Sequence, residues 1–172
     1  MLPLDAWTLP HLFWLVPLLF ALHNAEEAPR MATWVRRMTP RFMPPITAFQ
    51  FAVAVALLTL LVLLLTLAAA RALPLRLGVL LMAGVQAIIF VNALTHVGSA
   101  LWYRGYTPGL ATAVLLTVPF SLYLFHRLLA SPHLSGTGLG VALAIAPLLM
   151  VALTRSALYV GAVVERRWHT SA

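Results

Sequence analysis

The chain has 172 residues, of which 62% are hydrophobic and only 9% charged, with a mean hydropathy of +0.96. Soluble domains carry about 25% charge, so this composition selects an integral membrane protein and excludes an ordinary soluble domain. The net charge of +7, from eleven arginines against four acids, reads in such a chain as a topology signal and not as nucleic-acid binding. The absence of cysteine excludes disulfides, thiolate catalysis and cysteine-held iron–sulfur clusters.

The reading is all-α, a single membrane domain over residues 1–172. Five apolar segments are each long enough to cross a hydrocarbon core of about 30 Å, which takes about 20 helical residues. They fall at about 10–28, 46–70, 75–103, 107–129 and 136–164. The N-terminus carries Asp5 and no basic n-region, so the first span is expected to stay in the mature protein. After it, Met31, Trp34, Val35 and Met38 repeat at helical spacing, with Arg36 and Arg37 opposite. That pattern predicts a short interfacial helix ended by Thr39-Pro40; a charged connector that only fixes topology is the alternative. Thr107-Pro108 reads as the start of the fourth helix, an N-cap before proline. Leu134-Ser135-Gly136-Thr137-Gly138 reads as a loop.

Arginine placement sets the orientation. Arg30, Arg36, Arg37 and Arg41 follow span one, Arg104 follows span three, and Arg166 and Arg167 lie in the tail; the other side has Arg71, Arg76 and Arg127. The first set is expected to be cytoplasmic, with the N-terminus outside, in a bacterial inner membrane.

Polar residues inside the spans carry the chemistry. The run Ala21-Leu22-His23-Asn24-Ala25-Glu26-Glu27-Ala28-Pro29-Arg30 puts a histidine, two adjacent acids and an arginine at the end of span one. At about 100° per residue, Glu27 lies roughly 40° from His23, Glu26 roughly 60° to the other side, and Arg30 between the two acids. Asn92 and His96 share a face of span three with Ser99 and Tyr103. Ranked by distance from the cytoplasmic ends, His23, Glu26, Glu27, Gln50, Asn92, His96 and Arg155 fall in one slab. His11, His126 and His133 belong to the far side. Gln86 suits interhelical hydrogen bonding, and Trp102, Tyr103 and Tyr106 suit an interfacial aromatic belt.

An ionised acid at a helix centre costs on the order of 2.5–3.5 kcal/mol, and adjacent acids repel, so a proton, an arginine or a metal must compensate. Pairing of both acids with Arg30 at the headgroups is the plain explanation. His23 one turn deeper, with His96 at matching depth, points instead to a divalent metal site for zinc, iron or manganese.

The segment His23-Asn24-Ala25-Glu26-Glu27 resembles the signature of the HXXEE-domain family of small bacterial multi-span membrane proteins. Asn92-Ala93-Leu94-Thr95-His96 and Tyr106-Thr107-Pro108-Gly109-Leu110-Ala111-Thr112-Ala113 are similar to that family's later blocks. The family has no settled activity; the resemblance implies that His23, Glu26, Glu27, Asn92 and His96 belong together. The zincin pattern fits worse, because Asn24 stands where it needs glutamate and Glu27 where it needs histidine. The double-glutamate signature of membrane prenyl endopeptidases is missed by one residue at Arg30, and likeness to five-helix sterol isomerases rests on architecture alone.

The expectation drawn is a membrane-embedded, metal-dependent hydrolase acting on a lipid-like or membrane-dissolved substrate. His23, Glu27 and His96 would hold the ion, Glu26 would act as general base, and Asn92 or Arg155 would stabilise developing charge. Two other readings stay open: a metal-free acid–base isomerase of a lipid, and a small transporter or assembly protein with the acids and Arg155 in a buried ion-pair network.

Overall fold

The structure, a computed structural model, describes residues 7–38 and 44–170. Asp5, Arg41 and the expected helix stop at Thr39-Pro40 lie outside them. Among the described residues there are helices and no strands.

The first apolar segment folds as two helices, α1 (Leu9–Phe13) and α2 (Leu15–Glu27). Pro17 has no N–H to give the Phe13 carbonyl, and its ring crowds that carbonyl, so the helix breaks at Trp14. Four helices are long and apolar enough to cross a membrane, and this broken segment is not among them. It is instead largely enclosed: Leu12, Phe13, Val16 and Phe20 are buried. The short helix expected after the first span forms as α3 (Met31–Met38), with Ala32 and Val35 turned inward and both Arg36 and Arg37 exposed.

Helix α4 (Ala48–Leu67) starts with a capping box between Thr47 and Gln50 and runs on as a π-helical turn, Ala68–Ala72. Its leucines at 57, 60, 61, 63, 64 and 67 face outward, as a lipid-facing side requires. Helix α5 (Leu75–Tyr103) is the central rod. Val79, Met82, Ala83 and Ala87 on it are buried within the main core, which α1, α2 and the later residues Leu124, Phe125 and Leu128 also enter.

Helix α6 spans Leu110–Leu129 and contains a π turn at Ala113–Thr117. That turn sits just before Pro119, which cannot complete the α-helical ladder. The helix starts at Leu110, three residues after the expected Thr107 cap; Gly109 precedes it with φ 86°. Helix α7 (Gly136–Thr170) packs along α4 and α5. At Gly161 it approaches so closely that a Cβ would lie 2.5 Å from the Gln50 carbonyl oxygen. Beside that crossing, Glu165 accepts from Thr47 Oγ1 (2.8 Å) and Gln50 Nε2 (2.7 Å).

Candidate metal centre

The last two turns of α2 carry His23, Glu26 and Glu27, and the C-terminal third of α5 carries Asn92 and His96 one turn apart. Contacts of α2 with α5 and the start of α6 bury three of these groups and leave Glu26 and Asn92 half-buried: His23 is 0% exposed, Glu27 5% and His96 8%. Glu27 Oε1 lies 2.7 Å from His96 Nε2 and 3.5 Å from His23 Nε2. Asn92 Nδ2 stands 3.2 Å from His23 Nε2 and 3.4 Å from His96 Nε2. The imidazoles meet edge to face, with centroids 4.9 Å apart.

The loop into α6 covers this cluster. Thr107 Oγ1 donates to the His96 carbonyl at 3.0 Å. Gly109 lies directly on the cluster: a Cβ there would stand 2.9 Å from His23 Cε1 and 3.0 Å from Glu27 Oε1. Its positive φ and this close approach both demand glycine. Glu26 faces the loop and not the histidines. Its carboxylate accepts from the Ala111 N–H (3.1 Å), the Thr112 N–H (2.7 Å), the Thr112 hydroxyl (2.6 Å) and the Tyr106 hydroxyl. An anion at the first N–H groups of α6 suits the positive end of that helix. In the loop, Tyr106 has its phenol held above the ordinary range by the Glu26 carboxylate it donates to.

These contacts assign the His23 tautomer. The Thr112 hydroxyl proton is closer to the Glu26 carboxylate (2.6 Å) than to the Gly109 carbonyl (3.2 Å), and given to either it leaves the hydroxyl to accept the ring N–H of His23 Nδ1 at 2.8 Å. The bare Nε2 lone pair then points into the cluster. Orienting a ligand histidine through its other nitrogen is the usual support of a metal site.

His23, Glu27 and His96 can hold a metal ion: one ligand atom from each lies within 4.8 Å of the others. Ligands about 2.1 Å from a tetrahedral ion stand about 3.4 Å apart. The His23–Glu27 distance of 3.5 Å already matches that edge, and the Glu27–His96 contact of 2.7 Å would open by under about an ångström.

Of the residues singled out from sequence, the structure gathers His23, Glu27, Asn92 and His96. It places Glu26 one layer away, joined to His23 through Thr112. Arg155 is exposed on α7 and, among the described residues, makes no hydrogen bond or ion pair; it lines a cavity of about 770 Å³ that also reaches Glu27, Asn92 and His96. Arg30 is exposed and outside the cluster. Gln86 bridges helices by donating to Ser121 Oγ at 2.7 Å. Tyr106, expected in an aromatic belt, is instead a partner of Glu26, while Tyr103 stacks edge-on with Trp34 at 5.6 Å. Thr112 and Gly109 had no assigned role. A threonine three residues past a glycine, in the block that follows span three, is the signal that marks them.

No curated protein and no solved structure matches the chain. A family model described as "Protein of unknown function with HXXEE motif" matches residues 14–124, which include the cluster and the loop that covers it. The histidine and the two acids of that motif are His23, Glu26 and Glu27, and the chain belongs to the HXXEE family.

Proposed function

We propose that the protein is a membrane-embedded, metal-dependent hydrolase acting on a lipid-like or membrane-dissolved substrate. The observation that carries this reading is the convergence of three buried ligand atoms from two helices, two of them, from Glu27 and His96, at the wall of a large, mostly apolar cavity. His23 and His96 would hold the ion through Nε2 and Glu27 through one carboxylate oxygen. A zinc, iron or manganese ion there would lower the pKa of a bound water toward about 7. The Asn92 amide, aimed between the two imidazoles, donates to negative charge developing on the substrate.

Glu26 takes a different part from the general base expected of it. Four donors occupy its carboxylate, so it orients His23 through Thr112. Glu27, in the cavity wall, meets both histidines through Oε1, so its second oxygen would be the one left to take the proton from the attacking water.

In this reading the chain crosses a bacterial inner membrane five times, with the N-terminus outside and the cluster near the cytoplasmic leaflet. Although broken, Leu9–Glu27 rises about 28 Å at 1.5 Å per residue, close to the core thickness of about 30 Å.

Metal analysis of the purified protein tests the proposal. One equivalent is expected in the wild type and a large loss in His23→Ala and His96→Ala. Sub-stoichiometric metal in all three removes the hydrolase. The direct Glu27–His96 contact of 2.7 Å favours a second reading, in which that pair passes a proton on an unsaturated lipid without a metal. The ion-pair network expected of a transporter or assembly protein has no such support, because the described acids pair with histidines, hydroxyls, amides and backbone N–H groups and not with Arg155.

A further inference from the structure

The cavity beside the cluster has a shape and a charge that the hydrolytic chemistry does not use. It is lined along α4 from Gln50 to Leu65. Those sixteen residues of helix rise about 22 Å, longer than the roughly 15 Å of one leaflet's hydrocarbon. Phe51, Leu58, Val62, Ile89 and Val151 make its wall apolar along this length. The cavity of about 770 Å³ falls within the roughly 300–1,000 Å³ of pockets that take one drug-sized molecule. That suits one long chain with a small head, and not the two chains and headgroup of a bilayer phospholipid.

Arg155 supplies the charge. It lies within an apolar membrane helix, lines the same cavity, and has no described counter-charge. Each described acid is committed elsewhere. Glu27 meets His23 and His96, Glu26 is held by the loop into α6, and Glu165 is bonded to Thr47 and Gln50, about 15 Å further along α7. An unpaired guanidinium inside a span is costly, and its planar fork of donors fits a carboxylate or a phosphate.

We infer that the cavity takes one single-chain anionic amphiphile, its carboxylate or phosphate head on Arg155, about 9 Å along α7 from the crossing with Gln50, and its tail along the rest of α4 toward Leu65. This deepens the enzymatic reading by naming the substrate class; it rests on the cavity being the substrate chamber and not on the metal.

The test titrates oleate, oleoyl lysophosphatidate and uncharged oleyl alcohol onto the full chain in non-ionic detergent, read by native mass spectrometry. At least one anion is expected to bind one to one, and at least tenfold more tightly than the alcohol. Binding of oleate alone marks a carboxylate head, and of lysophosphatidate alone a phosphate head. Arg155→Gln should lose tenfold or more, Arg155→Lys should recover most of it, and Leu58→Trp should block the chain while both folded variants keep their Tm. Equal binding of the alcohol, indifference to Arg155→Gln, or two chains per protein overturns the inference. Arg155-dependent binding in a protein without metal removes the hydrolase alone, whereas one equivalent of metal with binding blind to Arg155 removes the single-chain anion alone.

Discussion

His23 Nδ1 stands 2.8 Å from the hydroxyl of Thr112, 89 residues later in the chain, and that hydroxyl donates to Glu26 at 2.6 Å. The two acids of the motif therefore do different work. Glu27 faces the Nε2 side of His23, and Glu26 holds its Nδ1 side through a threonine. Thr112→Val removes the link while keeping the side chain's shape. Metal affinity is expected to fall about 10- to 100-fold, as for other lost outer supports, and Thr112→Ser to retain most of it. Metal titration of the two variants checks this; equal affinities would mean that Thr112 does not orient the ring.

Tyr106→Phe removes one of four donors to Glu26. In the folded protein the phenol's pKa is raised by the carboxylate beside it. The stabilisation from this bond is thus present below the ordinary tyrosine pKa of about 10 and lost as pH rises through the higher folded value. Absorbance titration should show one late-ionising tyrosine in the wild type that is missing in Tyr106→Phe. The Tm difference between the two proteins should shrink as pH climbs past that value.

Gly109→Ala combines a left-handed backbone with contacts of 2.9–3.0 Å to His23 and Glu27. Expected cost is about 1–3 kcal/mol, and metal affinity should fall as well, because the added methyl displaces ligand side chains. Thermal unfolding in detergent and metal titration read the two effects. Gly105→Ala in the same loop is the comparison, since its Cβ meets nothing nearer than 3.8 Å.

Gly161→Ala drives a methyl toward the Gln50 carbonyl, 2.5 Å away, and backbone cannot swing aside as a side chain can. Helices α4 and α7 should separate at this crossing, at about 1–3 kcal/mol, and loosen the Glu165 bonds to Thr47 and Gln50. A lowered Tm together with faster amide exchange at residues 47–51 is the expected signature. An unchanged Tm would show that the crossing has slack.

Much of the helical architecture is written locally. Apolar runs longer than about 20 residues specify α4, α5 and α7 because a backbone in hydrocarbon must satisfy its own hydrogen bonds. The 3.6-residue period likewise placed Asn92 beside His96, His23 beside Glu27, and Met31–Met38 as an interfacial helix. The sequence did not show that Pro17 breaks the first segment into two helices, which leaves four helices long and apolar enough to cross a membrane, nor that α6 starts late, where Thr107 bonds to the His96 carbonyl in place of capping a helix. Only the tertiary structure decided which acid met the histidines and which met the loop. The roughly 100° separating Glu26 from Glu27 on the helix says that they face apart, but not what each will face. Thr112, Gly109 and Tyr106 reach the cluster by the chain's return after α5, a relation fixed by packing between segments some 80 residues apart. No local period can encode that.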